Sequence, residues 1–294
     1  MGKITSLVEF EGKVGNLVGA KGKDGRYTLR KYQPKPRDGR THEQMKYRVA
    51  WANMVALWRS MKGENRPSFE SKKVGWSDFN AFINANRNLV QVYLQKREAM
   101  LGVCVVAPYA ITNGSLNAIE VTSLSGGKMR CNMALGDLVI DADTTVSTFS
   151  KAVLNNNEGF EEGDRITGYL LQQQLVGELQ VPKVNPIICA VTLEKSNNTS
   201  LYDVVDEKLF SSTDGYLSSK STVNGGITWV HSRRDAVSGR VLVSPQTLTV
   251  NNTLLETYMS DSCMREAIES YGGEKYRGIL YPTQADYETT VVNP

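Results

Sequence analysis

Residues 12–33, GKVGNLVGAKGKDGRYTLRKYQ, carry the pattern that decides the N-terminal part of the fold. Spaced apolar residues, the turn-forming run KGKDG and the β-forming residues of RYTLRKY are typical of a β-hairpin. A hairpin is only marginally stable alone in water, so we expect it to pack against something else. The prolines of QPKP (residues 33–36) then predict an extended connector.

Two helices are predicted after this connector. The motif THEQ, which begins at Thr41, fits a capping box and predicts a helix that ends near Met61. Its tryptophans Trp51 and Trp58 are seven residues apart, which places them on one face. Ser77, before DFNAFINAN, predicts the start of a second helix. These two helices are expected to form a helical pair.

From about residue 89 the sequence becomes rich in short β-forming runs bounded by Gly, Asn, Asp and Ser. The runs are VCVVAPYAI, AIEVTSL, DLVIDADTTV, RITGYLLQQQL, PIICAVTL, GITWVHS and RVLVSPQTLTV. VSTFSKAVLNNN and SDSCMREAIESYGG predict short helices between and after them. The predicted fold class is therefore α+β. A β-hairpin and helical pair in residues 1–88 precede a mainly antiparallel, sandwich- or barrel-like β-rich body in residues 89–294.

No motif in the sequence indicates catalysis, a cofactor or a metal. The chain has two histidines, lacks GxSxG, and lacks the GxxxxGK[ST] spacing of a phosphate loop. Its four cysteines are 27, 58 and 74 residues apart, which favours buried free thiols in a reducing compartment over a zinc site. The acidic run EEGD supports only a remote hydrolytic alternative, on Glu161, Glu162 and Asp164. We therefore predict a non-enzymatic protein.

The start of the sequence and the length of its apolar runs indicate where the protein is expected to be located. No run reaches the roughly 18–20 apolar residues of a membrane helix. The start MGKITSLVEF lacks the apolar stretch of a signal peptide. We therefore expect a protein that is made in the cytoplasm and does not enter a membrane.

Residues 21–40, KGKDGRYTLRKYQPKPRDGR, form a strongly basic stretch. Residues 1–75 hold 17 Lys/Arg against 7 Asp/Glu, whereas residues 76–294 hold 17 against 24. Three interpretations stay open: a solvated face, an arm that docks on another protein, or a surface that contacts nucleic acid. The candidate residues for assembly or nucleic-acid contact are Lys21, Lys23, Arg26, Arg30, Lys31, Lys35, Arg37 and Arg40.

The N-terminal region resembles a family of proteins from Bacteroidota and their phages, including virion proteins of crAss-like phages. In that pattern a Gly-rich basic hairpin precedes R-T-x-x-Q-x-x-x-R and a helix with spaced aromatics. Here Arg40, Thr41, Gln44 and Arg48 carry the motif. The run SRRDAVSGRVLVSPQTLTV is also similar to the C-terminal part of that family. The resemblance implies a structural virion component of a tailed phage.

The resemblance and the basic stretch together lead to one hypothesis. The protein is expected to be a non-enzymatic homo-oligomer in a viral neck or tail ring, with a capsid-fibre or decoration protein as the near variant. Its partners would be copies of itself, other virion proteins and, through residues 21–40, packaged DNA. The alternative is a nucleic-acid-binding protein that uses the same stretch.

Overall fold

A computed structural model describes residues 4–5, 10–23, 25–34, 40–61 and 68–272. The strands are β1 (Ile4–Thr5), β2 (Gly12–Val14), β3 (Leu17–Lys21), β4 (Tyr27–Lys31), β5 (Ala110–Thr112), β6 (Val121–Ser123), β7 (Met129–Ala134), β8 (Arg165–Val176), β9 (Val181–Thr192), β10 (Ser211–Thr213), β11 (Tyr216–Ser218), β12 (Gly225–Arg234), β13 (Val241–Val243), β14 (Gln246–Thr247) and β15 (Thr249–Asn251). The helices are α1 (His42–Ser60), α2 (Asp78–Asn86), α3 (Lys96–Leu101), α4 (Val146–Asn156), α5 (Leu201–Val204), α6 (Leu255–Met259) and α7 (Asp261–Ser270). The predicted α+β class is confirmed, and the β-rich body consists of open antiparallel sheets.

The N-terminal hairpin is part of a four-stranded antiparallel sheet of order β1-β4-β3-β2. The predicted turn run KGKDG lies between the paired strands β3 and β4, and the Gly22 N–H donates to the Arg26 carbonyl at 2.8 Å. One detail of the prediction is wrong, because GKVGNLVGA is two strands and not one. Val14 pairs with Leu17, so the chain reverses at Gly15 and Asn16. Gly15 has a φ of +56°, a left-handed value that glycine adopts without a Cβ clash.

Both predicted helices of the N-terminal region are present. Thr41 and Gln44 form the predicted capping box, in which the Gln44 backbone N–H donates to Thr41 Oγ1 at 3.4 Å. The second helix, α2, is capped by Ser77 as predicted. Trp51 and Trp58 both contact Phe79 of α2, with ring centroids 6.5 and 5.9 Å apart. The aromatic rings therefore join the helical pair.

The central layer of the molecule is the sheet β13-β12-β8-β9, with β15 also paired to β12. One face of this sheet, which includes Tyr169 and Val230, shares a hydrophobic cluster with α1 and α2. The other face, which includes Leu170 and Trp229, shares a second cluster with α4 and β7. The first cluster draws residues from both sides of position 88. The boundary between residues 1–88 and 89–294 stays a prediction.

The run VCVVAPYAI (103–111) forms a strand only at its end, in β5. Residues 104–107 and 109 are buried, yet they are not paired with a neighbouring strand. Side-chain amides make the backbone hydrogen bonds that a neighbouring strand would otherwise make. At β5, for example, Asn86 accepts from the Ala110 N–H and donates to the Ala110 carbonyl, both at 2.8 Å. The predicted strand is thus an extended core segment, because its backbone hydrogen bonds at residues 104–106 go to side-chain amides and not to a neighbouring strand.

Three further amides complete this arrangement, which we call the amide clamp. Asn53 of α1 accepts from the Val105 N–H at 2.8 Å and donates to the Val105 carbonyl at 3.0 Å. Gln173 of β8 accepts from the Val106 N–H at 2.8 Å. Asn252 donates to the Val106 carbonyl at 2.9 Å. The clamp therefore ties α1, β8 and the segment after β15 to one buried stretch of chain.

The run DLVIDADTTV (137–146) was predicted as β-rich and forms a loop with a single bridge, at Thr145. Local side-chain bonds explain the difference, because the Thr144 hydroxyl donates to Asp141 at 2.8 Å and accepts from its backbone N–H at 3.0 Å. Such bonds compete with a strand ladder. The loop leads directly into α4.

Strand β12 begins at Gly225, which has a φ of +133°. A Cβ there would lie 1.9 Å from the Leu171 carbonyl oxygen. Only glycine therefore permits β12 to approach β8 so closely at this point.

The four cysteines are free, as predicted, although only Cys104 and Cys131 are fully buried. Burial raises the pKa of these two thiols to about 12. In the described part of the chain, no three His, Cys, Asp or Glu side chains are grouped as metal ligands would be. The helices described there are too short or too polar to cross a membrane.

Candidate functional site: the basic N-terminal sheet

The structure describes six of the eight predicted contact residues, all of them exposed, and five of these six lie on the N-terminal sheet or in its turn. Lys21 ends β3, Lys23 and Arg26 lie in the following turn, Arg30 and Lys31 lie in β4, and Arg40 precedes the cap of α1. Lys35 and Arg37 lie outside the described residues. The sheet therefore presents much of the basic stretch to solvent.

One face of the sheet combines apolar and basic side chains. Leu17 lies opposite both Val14 and Lys31, and Lys21 lies opposite Tyr27 on the same face. Val14 is 64% exposed and Leu17 is 46% exposed. We call Val14, Leu17, Lys21 and Lys31 the apolar–basic face. Exposed apolar side chains with a charged rim are typical of interaction surfaces.

The other face carries the remaining basic residues of the strands. Lys13 and Arg30 both lie opposite Val18 there. The Lys13 ammonium lies 3.7 Å from the Tyr32 ring centroid, which is a cation–π contact. The predicted basic residues are therefore divided between two faces and a turn. Sequence reasoning missed Lys13, which the Gly-Asn turn after β2 would have placed on the same face as Arg30, with Val18 between them.

The apolar side chains of the N-terminal sheet contribute little to a buried core. Phe10 lies over Gly19, where an added Cβ would come within 2.9 Å of the phenyl ring. Among the described residues, none of the sheet belongs to the three hydrophobic clusters of the molecule. Gly19 lies on the same face as Leu17 and Lys21, so Phe10 covers part of the apolar–basic face, while Val14 and Leu17 stay exposed to a partner.

A second surface has the complementary character. Asp141 of the loop 137–143 and Glu207 of the segment 203–207 both lie near Tyr202, whose pKa is raised by burial, lowered by Lys220, which pairs with Glu207, and raised by the charges of Glu207 and Asp141. Val139 is 71% exposed and Val204 is 41% exposed. The exposed acidic residues here are Asp137, Asp141, Asp143, Asp203 and Glu207. We call these five acids with Val139 and Val204 the apolar–acidic patch.

No protein-family model, curated protein or solved structure matches the chain. The resemblance to phage virion proteins therefore stays a hypothesis. The functional interpretation therefore rests on the geometry of the apolar–basic face and the apolar–acidic patch.

The acidic run EEGD holds a loop in place. Asp164 is buried, and it bonds His231 Nε2 and Arg233 Nε at 2.7 Å each. Burial raises its pKa, but the bonds from Arg233 and His231 outweigh that effect and hold the pKa well below the ordinary value. Glu161 pairs with Arg233 at 2.7 Å, and Glu162 accepts from the Lys195 N–H at 3.2 Å. These carboxylates have structural partners in the loop.

Proposed function

We propose that the protein is a non-enzymatic structural component of a tailed-phage virion, and that it assembles through its N-terminal sheet and its β-rich body. The proposed place is a neck or tail ring, with a capsid-fibre or decoration role as the near variant. The observation that carries the assembly role is the apolar–basic face, which no hydrophobic cluster of the described chain covers. The virion itself comes from the sequence resemblance.

The partner we propose for this face is the apolar–acidic patch of a second copy. Each surface has two exposed aliphatic side chains, and their charged residues have opposite signs. Residues 76–294 also carry a net charge of −7, because they hold 17 Lys/Arg and 24 Asp/Glu. A head-to-body contact of this kind is heterologous, so repetition closes a ring when the rotation permits.

The expected energy of one contact is modest. Burying a whole Val or Leu side chain is worth roughly 1.5–3 kcal/mol, so the exposed parts of Val14 and Leu17 contribute about 2 kcal/mol. Exposed ion pairs add about 0–1 kcal/mol each. Such contacts are weak singly and become stable in a closed assembly, where each subunit is held at two interfaces.

The test is the native mass of the purified protein over a range of concentrations, measured by light scattering or sedimentation. Wild type is expected to form an oligomer that dissociates at high salt, because screening weakens the charged rim. Val14→Thr with Leu17→Thr removes apolar surface and keeps β-forming residues. We expect this variant to dissociate at lower dilution than Val237→Thr, a control whose residue is 96% exposed in the loop before β13.

A charge exchange identifies the partner surface. Lys21→Glu with Lys31→Glu is expected to weaken assembly, and mixing it with an Asp143→Lys, Asp203→Lys variant is expected to restore hetero-assembly. A wild type that is monomeric at every concentration and joins no particle would overturn the proposal. Failure of the exchange would leave the apolar–acidic patch without its assigned role.

Titration of the protein with DNA at two salt concentrations distinguishes the assembly role from the alternative, a nucleic-acid-binding role. Salt-dependent binding by wild type that is lost on replacing the basic residues with Ala would favour a nucleic-acid role. The residues to replace are Lys21, Lys23, Arg26, Arg30 and Lys31. An absence of such binding in wild type would exclude this alternative for the basic stretch.

A further inference from the structure

A cleft of about 840 Å³ lies at one end of the central sheet. Its floor is the sheet face that, further along, packs against α1 and α2, and this floor includes Thr167, Thr192 and Ser232. The segment 68–72 forms a wall. The volume is that of a small-molecule site. Hydroxyl groups on the floor favour a polar ligand.

The charged residues that line this cleft are mainly cationic. They are Lys72, Arg165, Arg233, Arg234, Arg240 and a single carboxylate, Glu70. Glu70 accepts from the Ser115 N–H and hydroxyl, both at 2.8 Å, so its charge is already engaged. Two of the cations are also engaged, because Lys72 pairs with Asp78 at 2.8 Å and Arg233 with Asp164 at 2.7 Å.

Arg234 and Arg240 differ from the paired cations Lys72 and Arg233. Within the described residues, neither Arg234 nor Arg240 has a side-chain ion pair or hydrogen bond, and both are exposed. Arg165 lies opposite Ser232 in the adjacent strand, so it projects from the same sheet face as Arg234 and lies diagonal to it. Arg240 ends the loop between β12 and β13. The three guanidinium groups therefore surround one polar floor.

We infer that this cleft binds a small ligand that carries phosphate groups. Guanidinium groups present planar pairs of donors that match the oxygens of a phosphate, and the floor hydroxyls add further donors. The volume of the cleft suits a phosphorylated small molecule and not a duplex. None of the residues that line the cleft belongs to the N-terminal sheet or to the apolar–acidic patch, so the proposed site does not use the surfaces of the proposed assembly.

Isothermal titration with inorganic pyrophosphate tests the inference on the full chain. Wild type is expected to bind one equivalent saturably, with weaker affinity at higher salt. Arg234→Ala is expected to lower the affinity about tenfold, because a hydrogen-bonded charge is worth about one such factor. Adding Arg240→Ala is expected to lower it about tenfold again. Arg59→Ala, at an exposed position in the last turn of α1, is the matched control and is expected to bind like wild type.

Three results would overturn the inference. They are an absence of saturable binding by wild type, an equal loss in the Arg59→Ala control, and unchanged affinity in the double variant with an unaltered melting temperature. A parallel titration with duplex DNA distinguishes the source of the phosphate. Tighter binding of the duplex that depends on Arg234 would replace the small ligand with a nucleic-acid backbone. The native mass of the double variant is expected to stay that of wild type, so this test and the assembly test fail separately.

Discussion

The amide clamp makes a strong prediction for stability, which Asn53→Ala tests. Asn53 is completely buried in α1, and its side chain bonds both backbone groups of Val105 and the Tyr109 hydroxyl. The substitution leaves these groups without their partner in the protein core. Alanine favours a helix, so α1 itself is expected to persist.

The magnitude follows from the number of groups left unpaired. A buried donor or acceptor without its partner costs about 1–3 kcal/mol. With two backbone groups of Val105 affected, we expect a loss of about 3 kcal/mol in the free energy of unfolding. For a chain of this size, that corresponds to a fall of roughly 6–12 °C in the melting temperature.

Urea or thermal unfolding of wild type, Asn53→Ala and Asn84→Ala measures this loss. Asn84 is exposed in α2, so its replacement brings the same helix-propensity gain without a lost buried bond. The difference in unfolding free energy between the two variants gives the contribution of the Asn53 side chain to the amide clamp. If Asn53→Ala unfolds within about 0.5 kcal/mol of Asn84→Ala, the range of an ordinary surface change, the reasoning about backbone satisfaction is wrong.

Three other substitutions probe separate features, each by thermal unfolding. Asp164→Asn breaks the buried pair with Arg233 and should cost on the order of 3 kcal/mol at neutral pH. Because the folded pKa of Asp164 is depressed, this contribution is complete above the ordinary value of 3.8 and disappears as the pH falls below it, so the two curves should converge in acid. Gly225→Ala should be far more damaging than Gly177→Ala, whose added Cβ has open space around it, and equal losses would contradict the close approach of the strands. Thr41→Ala should cost about 1 kcal/mol through the lost helix cap, and an unchanged melting temperature would show that the cap is not needed.

Features set by neighbouring residues could be predicted from the sequence. Thr41 and Ser77 cap their helices as expected, because a cap depends on residues three positions away. The Gly-rich turn between β3 and β4 is equally local. The run 103–109 was mistaken for a strand because its composition is that of a buried strand. Its true partners are amides such as Asn252, which lies 146 residues from Val106.

The candidate surfaces were predictable only in part. The basic residues of the sheet are visible in the sequence, and alternation along β4 places Arg30 and Lys31 on opposite faces. The placement of Lys13 on the Arg30 face depends on the turn after β2. The apolar–acidic patch and the arginine-lined cleft could not be predicted, because topology brings their residues together. Arg165 and Arg234, for example, are neighbours only because β8 pairs with β12.

The amide clamp also has a consequence for how the chain reaches its native state. Its four members are separated from their backbone partners by 24, 52, 67 and 146 residues, so the clamp closes only after distant parts of the chain have met. Until then, VCVVA is an uncharged, β-forming segment with free backbone groups, which is the composition of an aggregation-prone stretch. Loss of soluble protein during refolding is therefore expected to begin at this segment, and Asn53→Ala should increase the loss at high protein concentration.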